Sequence, residues 1–395
     1  MRVLFTTHAA SGHFHPLVPL ARALQQAGHA VAFATAKDFG PTVEHNGFQH
    51  LPAGDVLGGP PGAMNDSAMA ERMKQFMGMA LDLRLKVMAN IFVGKYAALM
   101  VPELLQAASQ WRPDVLVRGT LEFGAPVVAR RLGVPCASIQ VGASGPRDFL
   151  QAGEMVQQLN ALRALVHLPP GAPEELLFDD LHLCFAPPSF LGKASGTPTT
   201  HYLQSALFDQ SGDERLPEWT QRLGQGRPVV YATMGTVVNK VQNPLLTLLE
   251  GLREEPVDLV MTVGRDKDPE AFGPQPPHIH VERYIPQTLL FPRCDLAILH
   301  GGYNSVTSAL SHGLPLIVMP VGADQPMNAA RCQELGVAQV LHPLEATPTQ
   351  LRDAVREVLA NPSYREAARR YQQESASLPG LGEAVRLVEQ LAARR

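Results

Sequence analysis

The stretch Leu296–Gly336, "LAILHGGYNSVTSALSHGLPLIVMPVGADQPMNAARCQELG", joins an apolar run to a helical one through a histidine and two glycines. The run from Leu296 to Leu299 suits a strand buried on both faces, as in a parallel sheet. Gly301 and Gly302 let the backbone approach a ligand closely, and the helix opening at Tyr303, Asn304 and Ser305 offers unpaired N–H groups and a positive dipole end. Phosphate is the natural guest, and His300 adds a hydrogen bond without an obligatory charge. The same residues also suit a plain strand-to-helix turn capped by Asn or Ser. Taken alone, the turn leaves both readings open.

Its neighbours favour a ligand. After the apolar run "LIVMP", "VGADQP" puts Asp324 and Gln325 on the next strand-end loop, where a carboxylate and an amide suit the hydroxyls of a sugar. Upstream, "VVYATMGT" ends a strand at Gly235 and Thr236, which offer an N–H and a hydroxyl to the same diphosphate. In "ERYIPQTLL", Tyr284 supplies a stacking face for a base, and Ile285 and Gln287 supply backbone or side-chain contacts.

Working outward, strand-like and helix-like runs alternate along both halves. Val3 to Thr7, Ala30 to Thr35, Val115 to Val117 and Cys136 to Gln140 read as strands, with helices over Pro16 to Gln26 and Gly124 to Leu132. The second half adds strands near Val229 to Thr233, Leu259 to Val263, Leu296 to Leu299 and Leu316 to Met319. This is the pattern of an α/β protein with two doubly wound parallel sheets, whose ligands bind beyond the carboxyl ends of the strands. The spacing predicts a first domain over 1–205, a polar linker over 206–225, a second domain over 226–378 and a terminal helix over 379–395.

Composition narrows the partners. The 395 residues carry a net charge of -4 with no basic block, which argues against nucleic acid or an anionic membrane. No apolar run approaches the roughly 20 residues that span a bilayer, and "MRVLFTTH" enters a strand without a leader pattern, so a cytoplasmic protein is expected. The four cysteines form no C-x-x-C pair, and neither a zinc site nor a disulfide framework is suggested. No G-x-G-x-x-G follows the first strand and no P-loop motif occurs, which disfavours a nicotinamide dehydrogenase and an NTPase.

From "YIPQ" through "HGGYNSVTSALSHGLPLIVMPVGADQPMNAARCQELG", and again at "SGHFHPLVPLARALQQAGHAVAF", the chain resembles the GT-B glycosyltransferases of family 1 that act on natural products. The resemblance implies two Rossmann-like domains facing a central cleft, with the terminal helix crossing back onto the first. It implies that His300, Gly301, Gly302, Asn304 and Ser305 hold a diphosphate, that Asp324 and Gln325 hold sugar hydroxyls, and that Tyr284, Ile285 and Gln287 flank the base. The nucleotide sugar would be a co-substrate, with no resident cofactor and no metal.

"TTHAASGHFHP" follows the first strand, and glycosyl transfer needs a group to take the acceptor's proton, for which neutral imidazole is well matched. The resemblance identifies that base as His13 in "GHFHP" and leaves His15 a structural residue. His8, His13 and His15 could instead suggest a metal, but no nearby Cys or carboxylate completes a set. The family often pairs the base with an Asp after the fourth strand, whereas this chain has Gly119 there. Glu122 could reach back to fill that role, or could simply satisfy the start of the next helix. Asp266 and Asp268 form a D-x-D in a polar loop, read as solvated rather than cation-binding.

Relatives that use UDP-sugars typically carry Glu four residues after the Asn position, and this chain has Ser308, which leans toward a dTDP-sugar with UDP-sugar next. Met64, Met69, Met73 and Met77 suit either a bulky hydrophobic acceptor or plain core packing. Two other activities fit the same pattern: a sugar-nucleotide epimerase of the same fold, and a non-catalytic activator of a true transferase.

Overall fold

The computed structural model describes residues 1–56, 75, 79–145, 147, 150, 154–192, 196–208, 215–235, 243–264 and 267–394. Its contacts divide the chain into two units. The first comprises Met1–Ala63, Gly78–Phe208 and Leu378–Arg395, and the second is built on Asp209–Ser377.

The first unit holds strands β1 (Arg2–Thr6), β2 (Ala30–Thr35), β3 (Gln49–Pro52), β4 (Val115–Gly119), β5 (Cys136–Ile139), β6 (Leu181–Cys184) and β7 (Thr200–Tyr202). They pair in the order β3-β2-β1-β4-β5-β6-β7, all parallel. The second unit holds β8 (Val229–Thr233), β9 (Asp258–Thr262), β10 (Ile279–Glu282), β11 (Leu296–Leu299), β12 (Leu316–Val318) and β13 (Ala338–Val340). Their order is β10-β9-β8-β11-β12-β13, again all parallel. β4, β8 and β11 are buried at every residue, as strands covered on both faces must be. In both sheets the chain turns back beside its first strand, between β1 and β4 and between β8 and β11. Such switch points are where doubly wound sheets bind ligands.

The terminal helix Leu381–Ala392 belongs to the first unit. Ala384, Leu387, Val388 and Leu391 recur at the i, i+3, i+4, i+7 spacing of one helical face and enter the core with Leu17, Leu20, Ala21 and Leu24. Each fully buried leucine contributes about 1.5–3 kcal/mol relative to exposure. The Gln204 N–H donates to the Pro379 carbonyl at 2.9 Å, and His29 Nε2 meets Glu389 Oε1 at 2.8 Å.

Two expectations are corrected. The predicted linker is not uniformly a spacer: Glu218–Arg222 forms a 3-10 turn on the second unit, where Trp219 stacks on His280 at 3.8 Å and Arg293 donates to the Thr220 carbonyl at 3.1 Å. A polar stretch looks like a linker until tertiary contacts claim its few large side chains. Likewise, one helical run, Lys86–Trp111, is long and apolar enough by length and composition to cross a membrane. Lys86, Lys95 and Glu103 concealed it from a search for unbroken apolar sequence. In the fold, Val93, Tyr96, Met100, Val101, Leu104 and Ala108 of this run are buried.

Candidate active site

In the second unit β8 runs out into Gly235, with φ +75°, and β11, paired beside it, runs out into His300 and Gly301, with φ +86°. The imidazole of His300 fills the space these turns leave. A methyl group on Gly235 would stand 2.7 Å from its Cε1 and Nε2, and one on Gly302 would stand 2.5 Å from Nε2. A methyl on Gly301 would meet Val318 Cγ1 at 2.9 Å and the Gln325 carbonyl at 3.1 Å. Space therefore demands all three glycines, and a left-handed backbone demands two of them again. Thr236 lies outside the described residues.

The helix Tyr303–Ser311 takes Gly302 as its N-cap with no side-chain cap. The Asn or Ser cap of an ordinary turn is not made. Asn304 and Ser305 sit half-buried in the first turn, whose N–H groups have no acceptor within the helix. Among the described residues His300 Nδ1 is buried without a partner, and burial pushes the imidazole down to about 4, so the ring is neutral at pH 7. A neutral donor beside a glycine turn and an uncapped helix start can accept an anion.

After β12 the loop passes through Ala323 at φ +55°, a strained conformation that costs on the order of 1–3 kcal/mol. Gln325 Oε1 holds the loop by accepting from the N–H groups of Val321 at 2.8 Å and Gly322 at 3.0 Å. With Oε1 engaged in its own loop, the Nε2 of Gln325 is the end of the amide left to donate to a sugar hydroxyl. The Asp324 carboxyl is raised from its ordinary range by desolvation and accepts from Asn328 Nδ2 at 2.7 Å. The same Nδ2 donates to the Gly301 carbonyl at 2.8 Å. One fully buried amide thus ties the loop after β11 to the loop after β12. Sequence reasoning missed Asn328, although its i+4 spacing from Asp324 on the helix Gln325–Glu334 was a usable signal.

Of the residues expected at a base, Tyr284 is half-buried. Ile285 is buried in the core, which leaves only its backbone to meet a ligand. Gln287 Nε2 donates to Tyr231 Oη at 3.1 Å, and that hydroxyl is 2.8 Å from Thr262 Oγ1. Ser308 is buried on the helix Tyr303–Ser311, and its hydroxyl has no partner among the described residues. Asp268 caps the turn Pro269–Phe272 and pairs with Arg283 at 3.1 Å, while Asp266 lies outside the described residues.

In the first unit, β1 leads through His8 into the short helix Ser11–Phe14 that carries His13. The half-buried His13 ring meets His8 edge-on at 5.2 Å and lies 5.9 Å from Phe92. Among the described residues its ring nitrogens have no hydrogen-bond partner. Burial, reinforced by His8, pushes His13 down to about 3, leaving it neutral at pH 7. His15 packs against Phe208 at 5.4 Å.

Glu122 as a partner for His13 is corrected. Its carboxylate is fully buried and accepts from Thr6 Oγ1 at 2.7 Å, from the Gly124 N–H, and from the Ala125 N–H at 3.0 Å. It satisfies the start of the helix Gly124–Leu132, as a carboxylate at that position is suited to do. Nothing local requires glycine at position 119: its φ is not positive, and an added methyl would meet only Val141 Cγ2, at an ordinary 3.5 Å. Met64, Met69, Met73 and Met77 lie outside the described residues, and Met88 is a core residue.

Comparison with known proteins now bears on this geometry. The family described as Erythromycin biosynthesis protein CIII-like matches at residues 22–235 with its N-terminal domain and at 247–391 with its C-terminal domain. The chain is 31% identical to 4'-demethylrebeccamycin synthase of Lentzea aerocolonigenes, over 99% of both proteins. It is 27% identical to 3-alpha-mycarosylerythronolide B desosaminyl transferase of Saccharopolyspora erythraea, over 100% of this chain and 99% of that one. The crystal structure of glycosyltransferase VinC in complex with dTDP aligns over 100% of both chains with TM-score 0.80 and 26% identity.

Proposed function

The chain belongs to the Erythromycin biosynthesis protein CIII-like family and is a GT-B glycosyltransferase of natural-product type, and we propose that it inverts the anomeric carbon without a metal. The donor is a dTDP-sugar by preference and a UDP-sugar next, and the acceptor is a hydroxyl on a small hydrophobic molecule in the cytoplasm.

The observation that carries the reading is the neutral His300 wedged between Gly235 and Gly302 at an uncapped helix start. These groups can hold the diphosphate and stabilise the charge that builds on it as the anomeric bond breaks, which is where electrostatic catalysis is most effective. Asp324 and Gln325 Nε2 fix the sugar, and the Asn328 bridge keeps the two loops in register. In the first unit His13, neutral at pH 7, accepts the acceptor's proton as its oxygen displaces the diphosphate. Direct displacement of this kind inverts the anomeric centre. The partnerless Ser308 hydroxyl can take one ribose-ring hydroxyl where a carboxylate would take two, which favours the deoxynucleotide.

The test supplies dTDP- and UDP-sugars with a panel of phenolic and macrolide acceptors, with and without exhaustive EDTA treatment, and reads the product's anomeric configuration by NMR coupling. Expected are transfer with inversion, a dTDP preference and full activity after chelation. Retention of configuration, or rescue by magnesium of an EDTA-inactive enzyme, would overturn the mechanism.

A further inference from the structure

Position 119 lacks the carboxylate that the resemblance leads one to expect, and Glu122 is spent on a helix start, yet His13 is not left unsupported. The nearer of the two described rings against it is His8, which is 4% exposed and whose Nε2 lies 2.9 Å from the Leu121 carbonyl. That carbonyl belongs to a turn fastened from both ends. Arg118 Nη1 donates to the carbonyls of Thr120 at 3.0 Å and Glu122 at 2.8 Å, while its Nε and Nη2 make a buried bidentate pair with Asp179 at 3.1 and 2.7 Å. The Glu122 carboxylate ties the same turn to Thr6 on β1. From the opposite side the helix supplies Phe92, 5.1 Å from His8, and Tyr96, 5.9 Å from it. Both stand on a π-helical stretch, Asn90–Ala97, upstream of Pro102. Pro102 cannot donate to the Ala98 carbonyl, and wide turns of this type recur at functional sites.

We propose that His8 is the positioning residue for His13: it donates from Nε2 to the Leu121 carbonyl and presents its ring against the base, replacing the missing carboxylate with a carbonyl-anchored imidazole. The proposal rests on the reading of His13 as the base. A neutral partner orients the ring as a carboxylate would, but it lends no charge to the imidazolium formed during transfer. Among the described residues, the charged and titratable groups on the elements packed around the pair include the Arg118–Asp179 pair, Glu122 after β4, and Lys95 and Tyr96 on the π-helical stretch, with the Lys95 ammonium held over the Tyr96 ring at 5.2 Å. Glu122 acts to raise His8, while burial lowers both histidines and His8 lowers His13 further. The base should therefore stay active well below the ordinary histidine range.

The test compares pH profiles of kcat/KM for the wild-type chain, His8→Gln, His8→Phe and His13→Ala, with thermal unfolding as a check on folding. Gln retains a donor for the Leu121 carbonyl, whereas Phe retains only the ring. Expected for the wild type is an acid limb at or below about pH 5. His8→Gln should keep kcat within about threefold and move the acid limb upward, because the like-charge neighbour is gone. His8→Phe should lose at least tenfold in kcat at unchanged donor KM. Equal losses in both His8 variants with an unmoved acid limb, or wild-type behaviour in both, would overturn the role of His8. His13→Ala separates the two ideas: near-normal transfer by it refutes the base itself, while its inactivity beside unaffected His8 variants refutes only the positioning.

Discussion

Each unit carries a histidine just past the carboxyl end of a strand at its switch point, and the two are supported in opposite ways. His300 is set by backbone: glycines at 235 and 302 leave a slot for its ring, and its neighbours are loops rather than side chains. His13 is set by side chains, with His8 edge-on and Phe92 beside it. Burial depresses both, to about 4 and about 3, so both are neutral at pH 7. A group that only donates to an anion needs a rigid slot and no partner. A group proposed to take up a proton at a chosen moment needs its orientation controlled, and around His8 and His13 the first unit places a buried Arg–Asp pair, a capping glutamate and a π-helical stretch.

The comparison breaks most visibly on deletion. His13→Ala should lower kcat by about two to four powers of ten while leaving the donor KM near its original value, since only proton transfer is lost. Isothermal titration with dTDP alongside steady-state kinetics checks this, and weakened dTDP binding by His13→Ala would contradict the division of labour.

A second expected effect concerns pH and stability. His13, His182 and His300 have folded values of about 3, 3 and 4 against an ordinary 6.5, each chiefly through burial. Below pH 6.5 the unfolded chain binds protons that the folded chain refuses, so stability is intact above that value and falls as pH drops toward 4. Each group contributes up to about 1.4 kcal/mol per pH unit in that window. Urea midpoints at pH 7 and pH 5 should differ accordingly, and a flat response would mean that these rings are protonated in the folded state.

Asn328→Ala sharpens the backbone half of the comparison. It removes both bonds from one buried amide, and the donor KM should rise about tenfold or more, consistent with about 1–3 kcal/mol for leaving buried acceptors unpaired. Little change in kcat is expected. The smallest effect is at Ser308: Ser308→Glu should shift donor preference toward UDP-sugars by about 1 kcal/mol, read from kcat/KM ratios for matched dTDP and UDP donors. A wild-type enzyme that already prefers UDP would remove the basis for that expectation.

The second unit was the more legible in sequence because its turns are written in short-range features. Glycine spacing, an apolar run and a helix start lie within a few residues, so the strand ends at Gly235 and at His300 to Gly302 could be placed from local chemistry. The limits appeared where one side chain had two possible destinations. Gln325 could turn to a sugar or to its own loop, and its carbonyl chose the N–H groups of Val321 and Gly322. Glu122 could reach His13 or the start of its helix, and unpaired N–H groups beside it claimed both oxygens.

By itself, then, the sequence determined two parallel α/β sheets, the glycine turns at their strand ends, and the terminal helix with one apolar face, because periodicity and glycine placement act over a turn or two of chain. Only the tertiary structure decided what surrounds His13. His8, Phe92, Leu121 and Arg118 are scattered over more than a hundred residues, and no spacing rule joins them. They meet because β1 and β4 are neighbours in the sheet and the long helix Lys86–Trp111 packs within the same unit, so the neighbours of the His13 imidazole were fixed by packing rather than by pattern.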